Sequence, residues 1–336
     1  MTPFYIQRLT MYKLNFLQYP CVQTISLDES YSVEPLKSND EFELLINNFK
    51  KEFGYTNLNS FSFTKEGFLA LMIELQGNIA VSLGECEAIV QASKLYEKLG
   101  NEVVWIGLNK DGSINYDECK NINVDFIFVS SYIMDTFVKT NLEIIKQNTK
   151  AKVISNCSAN KYAKFADMIL FDSYKLSGYG TCGVVLYSND ELNEQYPGEI
   201  DALGIKLIYD ALKNQTFKTK NKDEFIDVLK EEFKENLHFF VTPDSTLAYT
   251  LHFGLKGIKA REIIRTLGLN DIFVTNGEGC SLGLARPSRI IQDMGYPEKQ
   301  SRWALSLTFV KEYDSGEIKN IIQTMSRKYR QIKALS

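Results

Sequence analysis

From Glu85 onward the apolar positions Ala88, Ile89, Ala92, Leu95, Tyr96 and Leu99 recur at helical spacing, and Gly100 stops the run. That spacing predicts an amphipathic helix. Past it the period changes: the run EVVWIGL, the turn NKDG, the run VDFIFVSS, the helical stretch NLEIIKQN, then KVIS and DMILF. Short apolar runs rich in β-branched and aromatic residues suit strands covered on both faces. Their alternation with helices predicts a mostly parallel α/β sheet flanked by helices, with right-handed crossovers. Beyond Gly198 the rhythm differs. A helix from about Asp201 to Lys213, the polar stretch KNQTFKTKNK, the helix DEFIDVLKEEFKENL, the strand TLAYTLHF, the helix AREIIRTLG and a closing strand and helix predict a smaller α+β body. The expected organisation is an N-terminal arm over 1–25, a large α/β domain over 26–210 and a small C-terminal α+β domain over 211–336.

Length and charge narrow the classes. A chain of 336 residues exceeds one small core and fits a large domain plus a lesser one. The formal charge of −4, with both signs interspersed, gives no electrostatic footprint for nucleic acid. No apolar run approaches the roughly 18 residues of a membrane helix. The N-terminus lacks the apolar stretch of a secretory leader, so a cytoplasmic chain without a membrane partner is expected, starting at Met1 or Met11. Six scattered cysteines without a C-x-x-C pair make neither a disulfide framework nor a zinc ribbon, and His238 and His252 are the sole histidines.

The candidate chemistry lies in FDSYKLSGYGTCGVVLY, which reads as a strand end, one lysine, a glycine-studded turn and a second strand. Ligands of open α/β sheets gather at the carboxyl ends of the strands, where Lys175 is delivered. Either its amine does chemistry or it is a solvated side chain at a turn. A second candidate is Cys280, set among glycines and a serine in a polar stretch: either a partly exposed reactive thiol or a small buried cysteine of no chemical role.

From about Ser60 to Lys328 these landmarks resemble the cysteine desulfurase and class V aminotransferase family, enzymes of fold type I that use pyridoxal phosphate (PLP). LYEKLGNEVVWIGLNKDGSINYDEC and NDIFVTNGEGCSLGLARPSRIIQDMGY carry the likeness most clearly, the latter resembling the loop that holds the desulfurase nucleophile. The resemblance implies that Lys175 forms the Schiff base with PLP and that Cys280 takes sulfur from substrate cysteine as a persulfide, leaving alanine. It also implies a homodimer, a small amino acid substrate and a sulfur-acceptor protein.

Around those two residues the family pattern changes. The aspartate that keeps the pyridine nitrogen protonated has no counterpart in VISNCSANK, where Asn156 or Ser155 stands in its place. The ring-stacking histidine corresponds to Cys86, and the histidine before the lysine to Tyr174. The phosphate loop TSGATE reads TKEGFL from Thr64, the serine three residues before the lysine is Asp172, and the threonine of a Gly-Thr pair, which the resemblance assigns to the neighbouring subunit, is Glu199. Three carboxylates are thus expected where donors should meet a dianion. Unit charges about 4 Å apart at an effective dielectric near 20 repel by about 4 kcal/mol, which argues against PLP. The arginine that binds the substrate carboxylate corresponds to Ala304, and Arg302, expected on the same strand face two residues earlier, is the candidate replacement. Two functions stay open: a divergent PLP-dependent enzyme, or an inactive relative that serves as a binding or sulfur-handling partner.

Overall fold

The computed structural model of the chain describes residues 11–16, 40–188, 192–277 and 286–335. After β1 (Tyr12–Lys13) and α1 (Asp40–Phe53), the larger body runs β2 (Asn57–Ser62), α2 (Lys65–Leu75), β3 (Ile79–Ser82), α3 (Glu87–Lys98) and β4 (Val103–Ile106). It continues with β5 (Phe126–Phe128), α4 (Leu142–Asn148), β6 (Lys152–Asn156), β7 (Met168–Asp172), α5 (Ser173–Ser177), β8 (Cys182–Tyr187) and α6 (Ala202–Asn214). Its seven strands form one sheet in the order β2-β8-β7-β6-β5-β3-β4. Strands β3 to β7 pair in parallel, and β8 runs antiparallel to both β7 and β2. This is the mostly parallel sheet that the alternation predicts.

The predicted helix after Glu85 begins at Glu87. Ile89, Ala92 and Tyr96 are buried, while Leu99 at its end is exposed. Apolar clusters cover both faces of the sheet, one built on α2 and α3 and one on α1 and α6. Ala211 and Leu212 of α6 belong to the second cluster, so α6 packs on the sheet beyond position 210.

The smaller body contains α7 (Lys222–Phe233), β9 (Leu237–His238), β10 (Thr250–Leu255), α8 (Ala260–Gly268) and β11 (Ile272–Phe273). It closes with α9 (Arg289–Asp293), α10 (Glu298–Ser301), β12 (Ala304–Thr308) and α11 (Ser315–Leu335). β10 is the middle of an antiparallel trio with β12 and β9, and α11 packs on α7 and α8. β1 pairs with β11, and Tyr12 and Leu14 are buried in this body's core. Part of the expected N-terminal arm is therefore built into the small body.

Residues 137–139 and 245–247 join the two bodies through main-chain bonds, Lys139 N to Ser245 O at 2.9 Å and Leu247 N to Phe137 O at 2.9 Å. Lys222 braces the second strand of that joint. Its ammonium donates to Pro243 O at 2.6 Å, Thr246 Oγ1 at 2.8 Å and Leu247 O at 3.2 Å. Burial pulls its pKa down to about 8, yet three acceptors match the three N–H groups that only the charged form carries. Removing one partner leaves buried carbonyls unpaired, so Lys222→Met is expected to cost about 2 kcal/mol, read as a lower urea midpoint at unchanged slope.

Candidate functional site

The carboxyl edge of the sheet gathers the ends of β2, β3, β5, β6 and β7. β7 delivers Asp172 in extended conformation, and its carboxylate accepts the Tyr174 N–H at 2.9 Å, capping the single turn of α5. Gly178 ends that turn at φ 83°, a left-handed conformation glycine adopts without strain, and its N–H donates to Tyr174 O. Lys175 therefore sits in a capped helical turn rather than in the glycine-rich loop itself. Its half-buried amine donates to Tyr132 Oη at 3.3 Å and lies 3.4 Å from Met134 Sδ, both from the segment after β5.

Asn156 ends β6 and is wholly buried. Its Oδ1 accepts Ser158 N at 3.0 Å, and Ser158 Oγ accepts Asp172 N at 2.9 Å, which ties the end of β6 to the end of β7. Asn156 Nδ2 is buried with no hydrogen-bond partner. Of Ser155 and Asn156, the asparagine is thus the one linked toward Asp172. Cys86 is buried at the start of α3, and its N–H donates to Glu85 Oε2, which also accepts Ser130 Oγ at 2.6 Å. Tyr174 contributes its backbone to the cap of α5, and its side chain is 39 % exposed.

The three acids differ. Glu66 is exposed: its carboxylate lies against its own backbone amide and beside Lys65, contacts that hold its pKa below the usual range. Glu199 is exposed too, with Tyr196 N donating to its carboxylate at 3.3 Å. In the single chain solvent therefore screens Glu66, while the resemblance places Glu199 in the site of the neighbouring subunit. Asp172 alone is buried, and desolvation outweighs the nearby Lys175 to push its pKa up from 3.8 to about 6.

At the start of α2 two of the first-turn amides already have acceptors. Thr64 caps it by accepting Gly67 N, and Glu66's carboxylate accepts its own backbone N–H. Phe68, at the place of the family loop's second threonine, is fully buried, with its ring edge-on to Phe61 at 5.1 Å and Phe63 at 4.8 Å. Gly67 is obligatory for contact reasons, since a Cβ there would lie 1.8 Å from Ser62 O.

Arg302 is not on the closing strand. It ends α10, before β12 begins at Ala304, and its guanidinium is held by Glu298 one turn back. The expected same-face geometry fails because α10 occupies the residues just before the strand. Ala304 is buried and apolar. Opposite Ser306 on β10, His252 Nδ1 meets Ser306 Oγ at 3.0 Å, and burial pulls this histidine down to about 3. It is neutral at physiological pH.

Cys280 lies outside the described residues. On either side of that segment, Asp135 gathers the chain: Ser288 Oγ donates to its carboxylate at 2.8 Å, and a Cβ on Gly277 would fall 2.3 Å from that carboxylate. Arg289 then clasps the small body to the turn after β3, donating to Leu83 O and Glu85 O at 2.6 Å each and pairing with Glu87 at 3.2 Å. Sequence reading passed over Asp135 and Arg289 because their partners are more than 150 residues away. Among the described residues no group of His, Cys, Asp and Glu could hold a metal, and no helix is long and apolar enough to cross a membrane.

No protein-family profile matches the chain, and no curated protein does. Solved structures match over most of its length. A NifS-like protein has a TM-score of 0.73 at 12% identity, over 95% of this chain and 99% of that one. The NifS-like protein from Rickettsia africae has a TM-score of 0.71 at 15% identity, over 96% and 100%. The cysteine desulfurase CsdA from Escherichia coli, in its S-sulfonic acid form, has a TM-score of 0.67 at 11% identity, over 96% and 95%. The chain has the cysteine desulfurase fold.

Proposed function

We propose that this chain is a divergent relative of the cysteine desulfurases that has kept the lysine of a pyridoxal site but lost the means to hold PLP by its phosphate. On this reading it serves as a binding protein built on that fold, without cysteine desulfuration. The observation that carries it is Asp172, a buried carboxylate three residues before Lys175, where a phosphate-binding hydroxyl is expected. Placing a dianion beside it means either like-charge repulsion or protonation of Asp172. Phe68 supplies no hydroxyl, and Glu66 covers an amide at the start of α2. The phosphate corner does not fit the dianion.

Other parts of the pattern agree. An amide at Asn156 cannot keep a pyridine nitrogen protonated as an aspartate does, so the electron sink that desulfuration needs is weakened. Ala304 offers no charge for a substrate carboxylate, and Arg302 is engaged with Glu298. The competing reading, a working PLP-dependent enzyme on cysteine with Lys175 as Schiff base and Cys280 as sulfur acceptor, rests on the retention of those two residues.

Alanine formation from cysteine separates the two. With added PLP and a thiol reductant, the wild-type chain is expected to form no more alanine than Lys175→Ala; turnover lost in Lys175→Ala and in Cys280→Ser would establish the desulfurase instead. The homodimer implied by the resemblance belongs to this proposal and is checked by sedimentation, where a monomer would remove it.

A further inference from the structure

We propose that the open edge of the large sheet, at β2, is a docking strand for an extended, lysine- or arginine-bearing segment of a partner protein. β2 stands last in the seven-stranded order, so among the described residues one of its sides has no neighbouring strand. On that side a single side chain stands in for one. Ser60 N donates to Gln195 Oε1 at 2.7 Å, and Gln195 Nε2 donates to Ser60 O at 2.5 Å. The side-chain amide thus supplies the acceptor and the donor that the main chain of an adjacent strand supplies in an antiparallel ladder. Hydrogen-bonding direction repeats at every second residue of a strand, so Leu58 turns its own N–H and C=O to the same side. The edge is set for a further strand, and Gln195 fills one rung of it.

Beside this edge lies a groove of about 1040 Å³, walled by β2, α2 and residues 192–196. Side chains, not a main-chain ladder, hold the last of these walls in place. Asn59 Nδ2 donates to Asn193 O at 2.9 Å, and Asn193 N donates to Glu74 Oε1 at 2.7 Å. An incoming strand can replace such contacts without breaking the sheet.

The charge of the groove selects the occupant. Glu74, Glu194 and Glu199 line it, and its described lining holds no lysine, arginine or histidine. Tyr196, 76 % exposed in the same lining, offers an aromatic face to an ammonium or guanidinium group. Main-chain rungs give an added strand its affinity, and complementary charge decides which strand is accepted. Lys175, Asn156 and Asp172 take no part, so the proposal stands whether or not that corner holds PLP.

The test uses the full-length chain and three synthetic peptides. One alternates lysine and threonine, the second has glutamate for lysine, and the third is the lysine peptide with alternate main-chain amides methylated, which keeps the charge and removes the rungs. Fluorescence anisotropy reads affinity, and hydrogen exchange reads the amides of residues 57–62. The lysine peptide is expected to bind saturably, to slow exchange in 57–62, and to bind about tenfold or more tighter than either of the others. Gln195→Ala, and Gln195→Met, which keeps the bulk, remove the stand-in. Each is expected to tighten binding about tenfold, the net worth of two hydrogen bonds. Glu74→Gln combined with Glu194→Gln keeps an acceptor for Asn193 N and is expected to weaken binding about fivefold or more. Equal binding by the methylated peptide would reduce the effect to surface charge and overturn the proposal. Unchanged or weaker binding in both Gln195 variants, with circular dichroism matching the wild type, would overturn it too. So would a dimer in sedimentation whose 57–62 amides exchange slowly before any peptide is added, because the edge would then belong to a second copy.

Discussion

At pH 8 the Asp172→Asn variant is expected to be more stable than the wild-type chain by about 3 kcal/mol, and at pH 4 the gain is expected to vanish. Burial raises the carboxyl from 3.8 to about 6, a difference of about two units at about 1.36 kcal/mol each. A folded-state pKa above the unfolded one means that the native chain binds more protons between the two values, so stability falls as pH rises through that window. The wild type carries the whole cost above pH 6 and almost none below pH 4. Asparagine has no charge to desolvate, and its side-chain oxygen can still accept the Tyr174 N–H that caps the lysine turn. Thermal unfolding of both chains from pH 4 to pH 8 reads the difference directly. Equal stability at pH 8 would mean that Asp172 is solvated or fully paired, and the argument against a bound phosphate would lose its main support.

Phe68→Ala is expected to cost about 3–5 kcal/mol, the usual range for deleting a buried aromatic side chain. The ring is fully buried and meets Phe61 and Phe63 edge-on, contacts that add to its area burial. Denaturant unfolding checks this, and a loss under 1 kcal/mol would show that the cluster re-packs. A large loss has a functional corollary. The position where a phosphate loop would offer a threonine has become part of the core beneath β2 and α2, so a Phe68→Thr reversion should destabilise the chain long before it improves anion binding.

The larger body was legible in the sequence where apolar runs had one clear period. β4 to β8, α3 and α4 fall where EVVWIGL, VDFIFVSS, KVIS, DMILF and the helical repeats place them. The segment from β2 to β3 was not. KEGFLALMIEL is apolar on several sides because α2 is buried along Phe68, Leu71, Met72 and Leu75, and its glycine looks like a helix breaker. That glycine is there because Ser62 O leaves no room for a Cβ.

The site was half legible. The place of Lys175 at a strand end follows from the α/β rhythm, and the changed residues around it follow from the resemblance. What sequence could not supply was environment. Glu66 and Asp172 are equivalent as letters, yet one is exposed and the other buried. Arg302 was misplaced because the four-residue helix α10, fastened by the Glu298 pair, has no periodicity to announce it. Asp135 and Arg289 act across the junction of the two bodies, and no local pattern marks such long-range partners.

The most direct test of the central claim is the visible spectrum of the purified protein during a titration with PLP, beside Lys175→Ala. The account predicts that wild type and variant stay alike, with no yellow imine band growing in to saturation. A saturable band present in the wild type and lost in Lys175→Ala would contradict it, and would show that the chain holds the phosphate despite Asp172.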